Sequence, residues 1–377
     1  MAISRRSLLT AGLGLPLVGH AGMAFAVSGR GPLAVGASAE TGGRFAVRMI
    51  TGQGADGDIV DLPGRGHGAA WRRGAGEIPG EDPGEVVILA RRPGRFAVVI
   101  DVAEGRVKQR FEAPQARHFY GHGVFSRDGR RLFATENDFD GGRGVIGVYD
   151  AEKGYRRLGE LPSHGIGPHE LALLSDGRRL VVANGGIRTH PDSGRRKLNL
   201  ATMAPNLAYV NSDSGALLQR FSLPEDLHLL SIRHLAVSRD DAVCLALQNE
   251  GPRNRLVPLV GFQRDGTEIA LAETPAAVLK SMRHYCGSAA LDESGRYLAV
   301  SAPRGGRITF WSAKERRYLA EISVADGCGL APAGGVGRFF ISSGQGRLFI
   351  YDLTRGRETA LYGGAPGLAW DNHLLAL

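Results

Sequence analysis

One phrase recurs along this chain at intervals of roughly 42–55 residues, a period typical of propellers and other repeat folds. Each copy is a short apolar strand, a Ser/Asp-Gly-Arg turn, a second apolar strand, a glycine and a third strand that ends near an aspartate. The copies lie at 66–111, 121–154, 168–223, 233–266, 286–322 and 328–361. Three or four strands per copy at this spacing are typical of β-propeller blades, with the Asp-Gly turn as the hairpin between the first two strands.

The six copies predict six blades, and the two chain ends predict a seventh. We expect residues 367–377 to supply its inner strands, and residues 45–51 and 57–63 its outer ones. Closure of this kind leaves no exposed strand edge. A parallel β-helix is the main alternative, but its rungs are much shorter than these repeats. The predicted fold is therefore all-β, a single seven-bladed β-propeller of four-stranded blades over residues 27–377.

Residues 1–26 have the three parts of a secretory signal. Residues 4–7 read Ser-Arg-Arg-Ser, an apolar stretch covers 8–18, and Ala-Phe-Ala at 24–26 suits cleavage. The arginine pair resembles the twin-arginine class. The apolar stretch is shorter than the ~20 residues that a spanning helix needs, which favours cleavage over an uncleaved membrane anchor. The sequence thus predicts a periplasmic protein with no membrane span after cleavage.

Composition argues against several function classes. The net charge is +8, but no basic run with interleaved aromatic residues is present, so nucleic-acid binding is not expected. Cys244, Cys286 and Cys328 are an odd number without CxxC or CxxCH spacing, so neither a disulfide scaffold nor c-type haem is expected, while their pairing is left open. The segment GQGADG (52–57) joins two predicted strands and opens no helix, so no nucleotide is expected.

Histidines recur near the starts of the predicted innermost strands, which line the channel of a propeller. Neutral imidazole is a common ligand of iron, copper and zinc. We therefore predict a metal site, for iron or copper, formed by His67, His122, His169 and His234, with His118, Glu136 and Glu170 as further candidate ligands. Cys286, Cys328 and His373 occupy similar places in the remaining blades. The alternative is that each histidine only hydrogen-bonds to a neighbouring blade.

Two loops are weaker candidates. The connection 184–205 is long for a propeller hairpin, and its Arg188, His190, Arg195 and Arg196 could hold an anion or a partner protein, with plain solvation as the alternative. The acidic stretch 136–142 offers oxygen ligands for calcium or is a solvated turn.

Long phrases at 117–126, 134–138, 143–150, 165–173, 181–199, 230–238, 301–306 and 365–377 resemble one family. This is the group of exported bacterial propellers with a twin-arginine signal known as domain of unknown function 1513. The resemblance implies no established activity. It implies a link to gene sets for iron acquisition, which include imelysin-like periplasmic proteins and a di-haem oxidoreductase as possible partners.

The sequence as a whole predicts a non-catalytic periplasmic propeller that binds a metal ion, iron before copper, or docks onto an iron-handling partner. One alternative is a propeller enzyme, either a lactonase-like hydrolase or a metal-dependent oxidoreductase, although fold analogy alone supports it weakly. The other is a pure protein–protein scaffold.

Overall fold

A computed structural model describes residues 33–52, 59–74, 84–264, 266–364 and 366–377. The predicted signal at 1–26 and residues 53–57 of the glycine-rich segment lie outside these ranges. Within them, the strands form seven antiparallel sheets of four strands each, arranged as a ring. This confirms the predicted seven-bladed propeller.

The strands run as follows, with blades numbered along the chain and each blade written from its first strand to its last. The chain starts with β1 (Ala34–Glu40), β2 (Phe45–Ile50) and β3 (Ile59–Leu62). Blade 1 is β4 (Gly66–Arg72), β5 (Glu85–Ala90), β6 (Phe96–Asp101) and β7 (Arg106–Glu112), and blade 2 is β8 (Arg117–Phe125), β9 (Arg131–Asp138), β10 (Arg143–Asp150) and β11 (Arg156–Pro162). Blade 3 is β12 (Pro168–Leu173), β13 (Arg179–Asn184), β14 (Asn206–Asn211) and β15 (Leu217–Ser222), and blade 4 is β16 (Leu230–Val237), β17 (Val243–Asn249), β18 (Val260–Gln263) and β19 (Ala270–Leu271).

Blade 5 is β20 (Ser288–Leu291), β21 (Tyr297–Ala302), β22 (Arg307–Ser312) and β23 (Arg317–Ser323), and blade 6 is β24 (Gly327–Pro332), β25 (Arg338–Ser343), β26 (Leu348–Asp352) and β27 (Arg357–Tyr362). The last strand is β28 (Leu368–Ala376). A short helix α1 (Ala276–Ser281) precedes blade 5, and single 3₁₀ turns cover Pro191–Ser193, Leu200–Thr202, Glu225–Leu227 and Pro303–Gly305. None of these helices is long and apolar enough to cross a membrane.

Blade 7 joins the two ends of the ring, in the order β28-β1-β2-β3. Strands β2 and β3 match the two outer strands that we predicted. We expected both inner strands to come from residues 367–377, but only the innermost strand, β28, does so, and the second strand is β1. The small residues of β1 gave no strand signal, because alanine and glycine are depleted in strands. They are needed for packing: a Cβ on Gly36 would lie 2.7 Å from Leu374 Cδ2 and 3.1 Å from the Trp370 ring.

The middle strands are apolar because neighbouring blades cover both of their faces. All six residues of β5 (EVVILA) are buried, whereas β7 on the outer rim alternates between exposed and half-buried residues. Strands that are covered on both sides read as continuous apolar runs, and strands with one wet side alternate.

The Asp-Gly turns make the hairpins between the first and second strands. In blade 2, Gly129 has φ +69°, a left-handed conformation that glycine adopts without strain. Asp128 Oδ1 accepts hydrogen bonds from Ser126 Oγ (2.6 Å) and from the Arg130 N–H (3.1 Å). These hairpins fix where each innermost strand ends.

The hydrophobic core is divided among the blade interfaces. Trp311, which is fully buried, packs with Val243 and Leu298 between blades 4 and 5, and separate clusters fill the interfaces on the other side of the ring. Each large apolar side chain buried in this way contributes about 1.5–3 kcal/mol. Because the apolar side chains pack between blades, the axis of the ring is left to other residue types.

Candidate metal site in the central channel

The innermost strands break their pairing register where their histidines lie. The breaks fall at or beside His67 in β4, His122 in β8, His169 in β12, His234 in β16 and His373 in β28. A bulge places extra residues opposite one partner and re-aims their side chains. The histidines thus leave the regular alternation of their strands.

Five imidazoles from five consecutive blades (7, 1, 2, 3 and 4) meet at the axis. The separations between ring centroids run from 4.4 Å for His122–His373 to 6.0 Å for His122–His234. His67 and His169, from strands that are not neighbours, are 5.8 Å apart. The structure therefore brings together all four histidines that the sequence selected, and adds His373.

The potential ligand atoms fall into two groups that share His122. The first group is His122, His169, Glu170 and His234, and the second is His67, His122 and His373. Within each group the ligand atoms all lie within 4.8 Å of one another. Two nitrogens on one ion lie at most about 4.2 Å apart, twice a metal–nitrogen bond. Three or four ligands around one ion lie closer together, at about 3.4 Å in a tetrahedral site, so the side chains would need to draw together to share an ion.

Two of the histidines use one ring nitrogen to join neighbouring blades. His67 Nδ1–H donates to Asp371 Oδ1 at 2.9 Å, and Arg65 Nε donates to Asp371 Oδ2 at 2.5 Å. His234 Nδ1 lies 3.1 Å from Glu170 Oε2, which also accepts the Leu235 N–H at 3.2 Å. The inter-blade alternative is thus correct for one nitrogen of these two rings, while Nε2 of each remains a potential ligand. A carboxylate behind a ligand imidazole is the usual arrangement at metal sites.

Three buried ring nitrogens make no hydrogen bond to any described residue: His122 Nε2, His169 Nδ1 and His373 Nε2. Leaving a buried polar atom unsatisfied costs about 1–3 kcal/mol. Native proteins rarely accept that cost three times within one cluster, so the atoms are expected to serve a bound ion or an ordered water.

Burial keeps these imidazoles neutral. It lowers the pKa of His122 to about 3, although the charge of Glu170 opposes the shift. Burial, together with the neighbouring histidines, holds the pKa of His169, His234 and His373 well below the usual value, and Arg233 adds to the effect on the first two. A neutral imidazole has a lone pair to donate, so the cluster suits a cation.

The pKa values of the two carboxyl groups move in opposite directions. Burial alone would raise the pKa of Asp371, but the hydrogen bond from His67 and the charges of Arg65 and Arg91 hold it well below its usual range. Burial raises the pKa of Glu170, with His122 opposing. Asp371 is therefore a fixed negative charge, and Glu170 is the carboxyl that a cation would ionise.

Glycines allow the neighbouring strands to approach closely at the cluster. Gly121 has φ +105°, and a Cβ there would lie 2.6 Å from His67 Cδ2. A Cβ on Gly68 would lie 2.6 Å from Gly121 O and 3.1 Å from His122 Nδ1. Any side chain at these two positions would push His67 and His122 apart.

Two predicted ligands lie outside both groups. His118 Nδ1 donates to Phe119 O at 2.9 Å, its Nε2 accepts from Asn137 Nδ2 at 3.0 Å, and burial lowers its pKa to about 4. The fully buried Glu136 accepts hydrogen bonds from Tyr149 (2.5 Å) and Arg157 (2.7 Å). Both side chains have their partners within or beside blade 2, so their part in metal binding stays an untested prediction.

The predicted anion loop divides into two parts. Arg188 packs over Gly142, and His190 lies 3.4 Å from Asp140, both on the side of blade 2. The charge of Arg195 instead acts on Arg91 and Arg92, and the adjacent Arg196 is exposed.

The cysteines are free and fully buried. Cys328 Sγ donates toward Asp371 O at 3.4 Å, and Cys286 Sγ toward Leu259 O at 3.6 Å. Burial raises the pKa of each thiol to about 12. Both thiols therefore face the packing between blades and belong to neither ligand group.

Sequence reasoning noted His373 but did not select it, and it missed Asp371. Both lie in a strand that pairs with the opposite end of the chain, so no repeat phrase precedes them. The close spacing of Asp371 and His373 in an apolar C-terminal strand was the available signal.

The family described as "Protein of unknown function (DUF1513)" matches residues 60–377. Comparison with curated proteins gives no match. Among solved structures, the chain is similar to hydrazine synthase of Kuenenia stuttgartiensis, with a TM-score of 0.58 and 13% identity over 86% of this chain and 90% of that one. At this identity the similarity shows the propeller fold alone.

Proposed function

The chain belongs to the DUF1513 family, and from its channel we propose that it binds a divalent first-row transition metal ion through the histidines at the axis. The observation that carries the proposal is the set of three buried imidazole nitrogens without a hydrogen bond, on His122, His169 and His373. A hydrogen-bonding role would have satisfied these atoms, as it does one nitrogen of His67 and of His234.

Among such ions we favour iron. The first group combines three imidazoles with the carboxyl group of Glu170, a donor set that suits Fe(II). Thiolates would have favoured Cu(I) or zinc, but Cys286 and Cys328 face the blade interfaces. Imidazoles also bind Cu(II) and Zn(II), and with higher intrinsic affinity, so all three ions belong in the test.

The direct test is metal analysis of the purified protein beside two variants. We expect near-stoichiometric binding after anaerobic loading with Fe(II), and about 100-fold or more weaker binding in a His122→Ala, His169→Ala double variant, since two ligands are removed from one group. His228→Ala is the matched control, because His228 lies before β16 and its Nδ1 donates to Glu225 O. Circular dichroism of each variant shows whether it is folded.

Two results would overturn the proposal. One is a folded wild-type protein that binds none of Fe(II), Cu(II) or Zn(II). The other is binding that survives in the folded double variant as well as in His228→Ala.

We also propose that the protein acts in the periplasm, alone or with an iron-handling partner such as an imelysin-like protein or a di-haem oxidoreductase. The sequence supports this through residues 1–26 and through the resemblance to exported propellers. Fractionation of cells expressing the chain with and without Arg5→Lys, Arg6→Lys tests the location. Equal recovery in the periplasm would argue against the twin-arginine route.

A further inference from the structure

Five arginines gather at the end of the channel where the innermost strands begin, which we call the histidine end. Arg65 precedes β4, Arg91 and Arg92 follow β5, Arg233 is in β16, and Arg195 is in the 184–205 connection. They come from three blades, so the ring closure itself brings them together. We call these five residues the arginine group.

Most of these guanidinium groups lack the partners that arginines normally have. Arg91 and Arg92 are half-buried, and neither side chain makes a hydrogen bond or ion pair with a described residue. Arg233 has a side chain only 12% exposed, its Nε has no hydrogen bond, and its nearest carboxylate oxygen, on Glu250, is 3.8 Å away. A buried cation without a bonded acceptor is costly, and Arg233, with the half-buried Arg91 and Arg92 beside it, marks this place as suited to an anion.

The acids nearby are too few and already engaged. Asp371 accepts from Arg65 and His67, and Glu250 accepts from Lys197. Burial lowers the pKa of Arg91, with Asp371 opposing and Arg65 adding to the shift. Burial likewise lowers the pKa of Arg92, and the charge of Arg233 adds to that shift. The arginine group thus carries an excess of positive charge that no described side chain balances.

Several contacts place the group over the histidines. The Arg91 N–H donates to Arg65 O at 2.9 Å, and Arg65 in turn holds Asp371 behind His67. Arg233 is the residue left unpaired by the β16 bulge, directly before His234.

The geometry points to a binding site for a multivalent oxyanion, held by Arg91, Arg92 and Arg233 above the histidines, with the exposed Arg195 at its edge. The planar guanidinium fork binds carboxylate and phosphate oxygens in pairs, so either kind of oxyanion fits. The inference does not depend on the proposed metal, because it uses none of the imidazole nitrogens as donors to the anion.

Titration calorimetry on metal-free protein tests the site, with inorganic phosphate in one arm and citrate in the other. Binding in one arm and not the other identifies the oxyanion class. We expect Arg91→Gln and Arg233→Gln to weaken binding about 10-fold or more, because each removes a charge-assisted bidentate contact. Since metal is absent, this result stands whether or not the histidines bind an ion.

Two neighbouring residues of the loop supply the matched control. Arg195→Gln should weaken binding by roughly 3-fold, since Arg195 is exposed, whereas the adjacent Arg196→Gln should leave it within about 2-fold of wild type. Equal losses in these two variants would show a non-specific charge effect and overturn the site. So would a wild-type protein that binds neither phosphate nor citrate.

Thermal melting in phosphate-free buffer distinguishes a role of Arg91 in binding the anion from a role in stabilising the fold. Arg91→Gln should melt at or above the wild-type temperature, because it relieves repulsion among like charges. A clearly lower melting temperature would assign Arg91 to the fold and contradict its role as an anion ligand.

Discussion

The two ends of the channel are built from the same seven innermost strands but carry different side chains. At the histidine end, five imidazoles meet at the axis, and the arginine group lies above them. At the other end, where hairpins turn each first strand into the second, a cavity of about 1310 Å³ opens, and its lining combines apolar residues such as Leu330 and Leu374 with charged residues such as Arg239 and Asp292. We call this the hairpin end.

The charges at the two ends are also balanced differently. Around the hairpin end, bases pair with acids, as where Arg264 donates to Asp240 at 2.8 Å. At the histidine end, neither Arg91 nor Arg92 has such a partner among the residues that the structure describes. The difference teaches that the bulges separate the two ends, because beyond them the innermost strands resume regular pairing toward the hairpins.

The largest expected effect is the loss of stability that the histidine end causes when the pH is lowered. An unfolded histidine binds a proton below about pH 6.5, whereas folded His122 does so only near pH 3 and His169, His234 and His373 also at much lower pH. The unfolded state therefore binds more protons, and stability falls as the pH drops below about 6.5, by up to about 1.4 kcal/mol per pH unit for each histidine. Glu170 has a raised pKa and therefore binds its proton more readily in the folded state, which opposes this loss of stability, but it is one group against four histidines.

Denaturant unfolding of the metal-free protein between pH 7 and 4.5 measures this slope. A His122→Gln, His169→Gln variant should have a shallower slope. If its slope equalled that of the wild type, the acid sensitivity would lie elsewhere than in the histidine end.

The next effect is on metal binding. Replacing His122, which belongs to both ligand groups, should lower the affinity by about 100-fold, whereas Glu170→Gln and Asp371→Asn should each cost roughly 10-fold by affecting one group. Isothermal titration calorimetry with Fe(II) and with Zn(II) measures the affinity of each variant. Leu330→Ala at the hairpin end should leave the metal affinity unchanged. If it lowered the affinity as much as the histidine-end variants do, metal binding would not be confined to the histidine end.

A smaller effect is expected from the same hairpin-end variant on stability. Leu330 is 3% exposed and lines the cavity, so truncation to alanine should lower the free energy of unfolding by about 2 kcal/mol, near the lower limit for a buried leucine because the site already borders open space. Urea unfolding at pH 7 gives the value. A loss above about 4 kcal/mol would mean that this end is packed as tightly as the blade interfaces.

The smallest effect should come from the rim of the hairpin end. Arg264 and Asp240 are both more than half exposed, so Arg264→Ala should change stability by less than about 1 kcal/mol and metal affinity not at all. The same urea experiment measures it. A larger effect would show that the rim charges act as a network.

The fold could be read from the sequence because each blade repeats the same local signals. The Asp-Gly turn of 126–131 and the apolar run of β5 specify a hairpin and a middle strand without knowledge of their neighbours. Strand β1 escaped notice because its Gly36 is selected by close packing against Trp370 and Leu374, a tertiary requirement that leaves no local pattern.

The site was only partly readable. Recurrence at strand starts selected His67, His122, His169 and His234, but their unequal distances from the hairpin glycines hid the convergence, which depends on bulges of different lengths. His118 and Glu136 share the same stretch of chain as His122 and yet find partners within or beside blade 2. Spacing along a strand cannot tell these cases apart, because one extra residue turns a side chain to the other face.

The pairing of β28 with β1 has a consequence for the order of events during synthesis. Strand β28 follows every other described strand in the chain, and it carries both His373 and the Asp371 that orients His67. A nascent chain that has not yet released β28 already contains the first ligand group, on blades 2–4, but lacks the second group, which needs His373. The second group, and the carboxylate that orients His67, are thus completed only when the ring closes, so a binding mode that uses His373 reports that the last strand is in place.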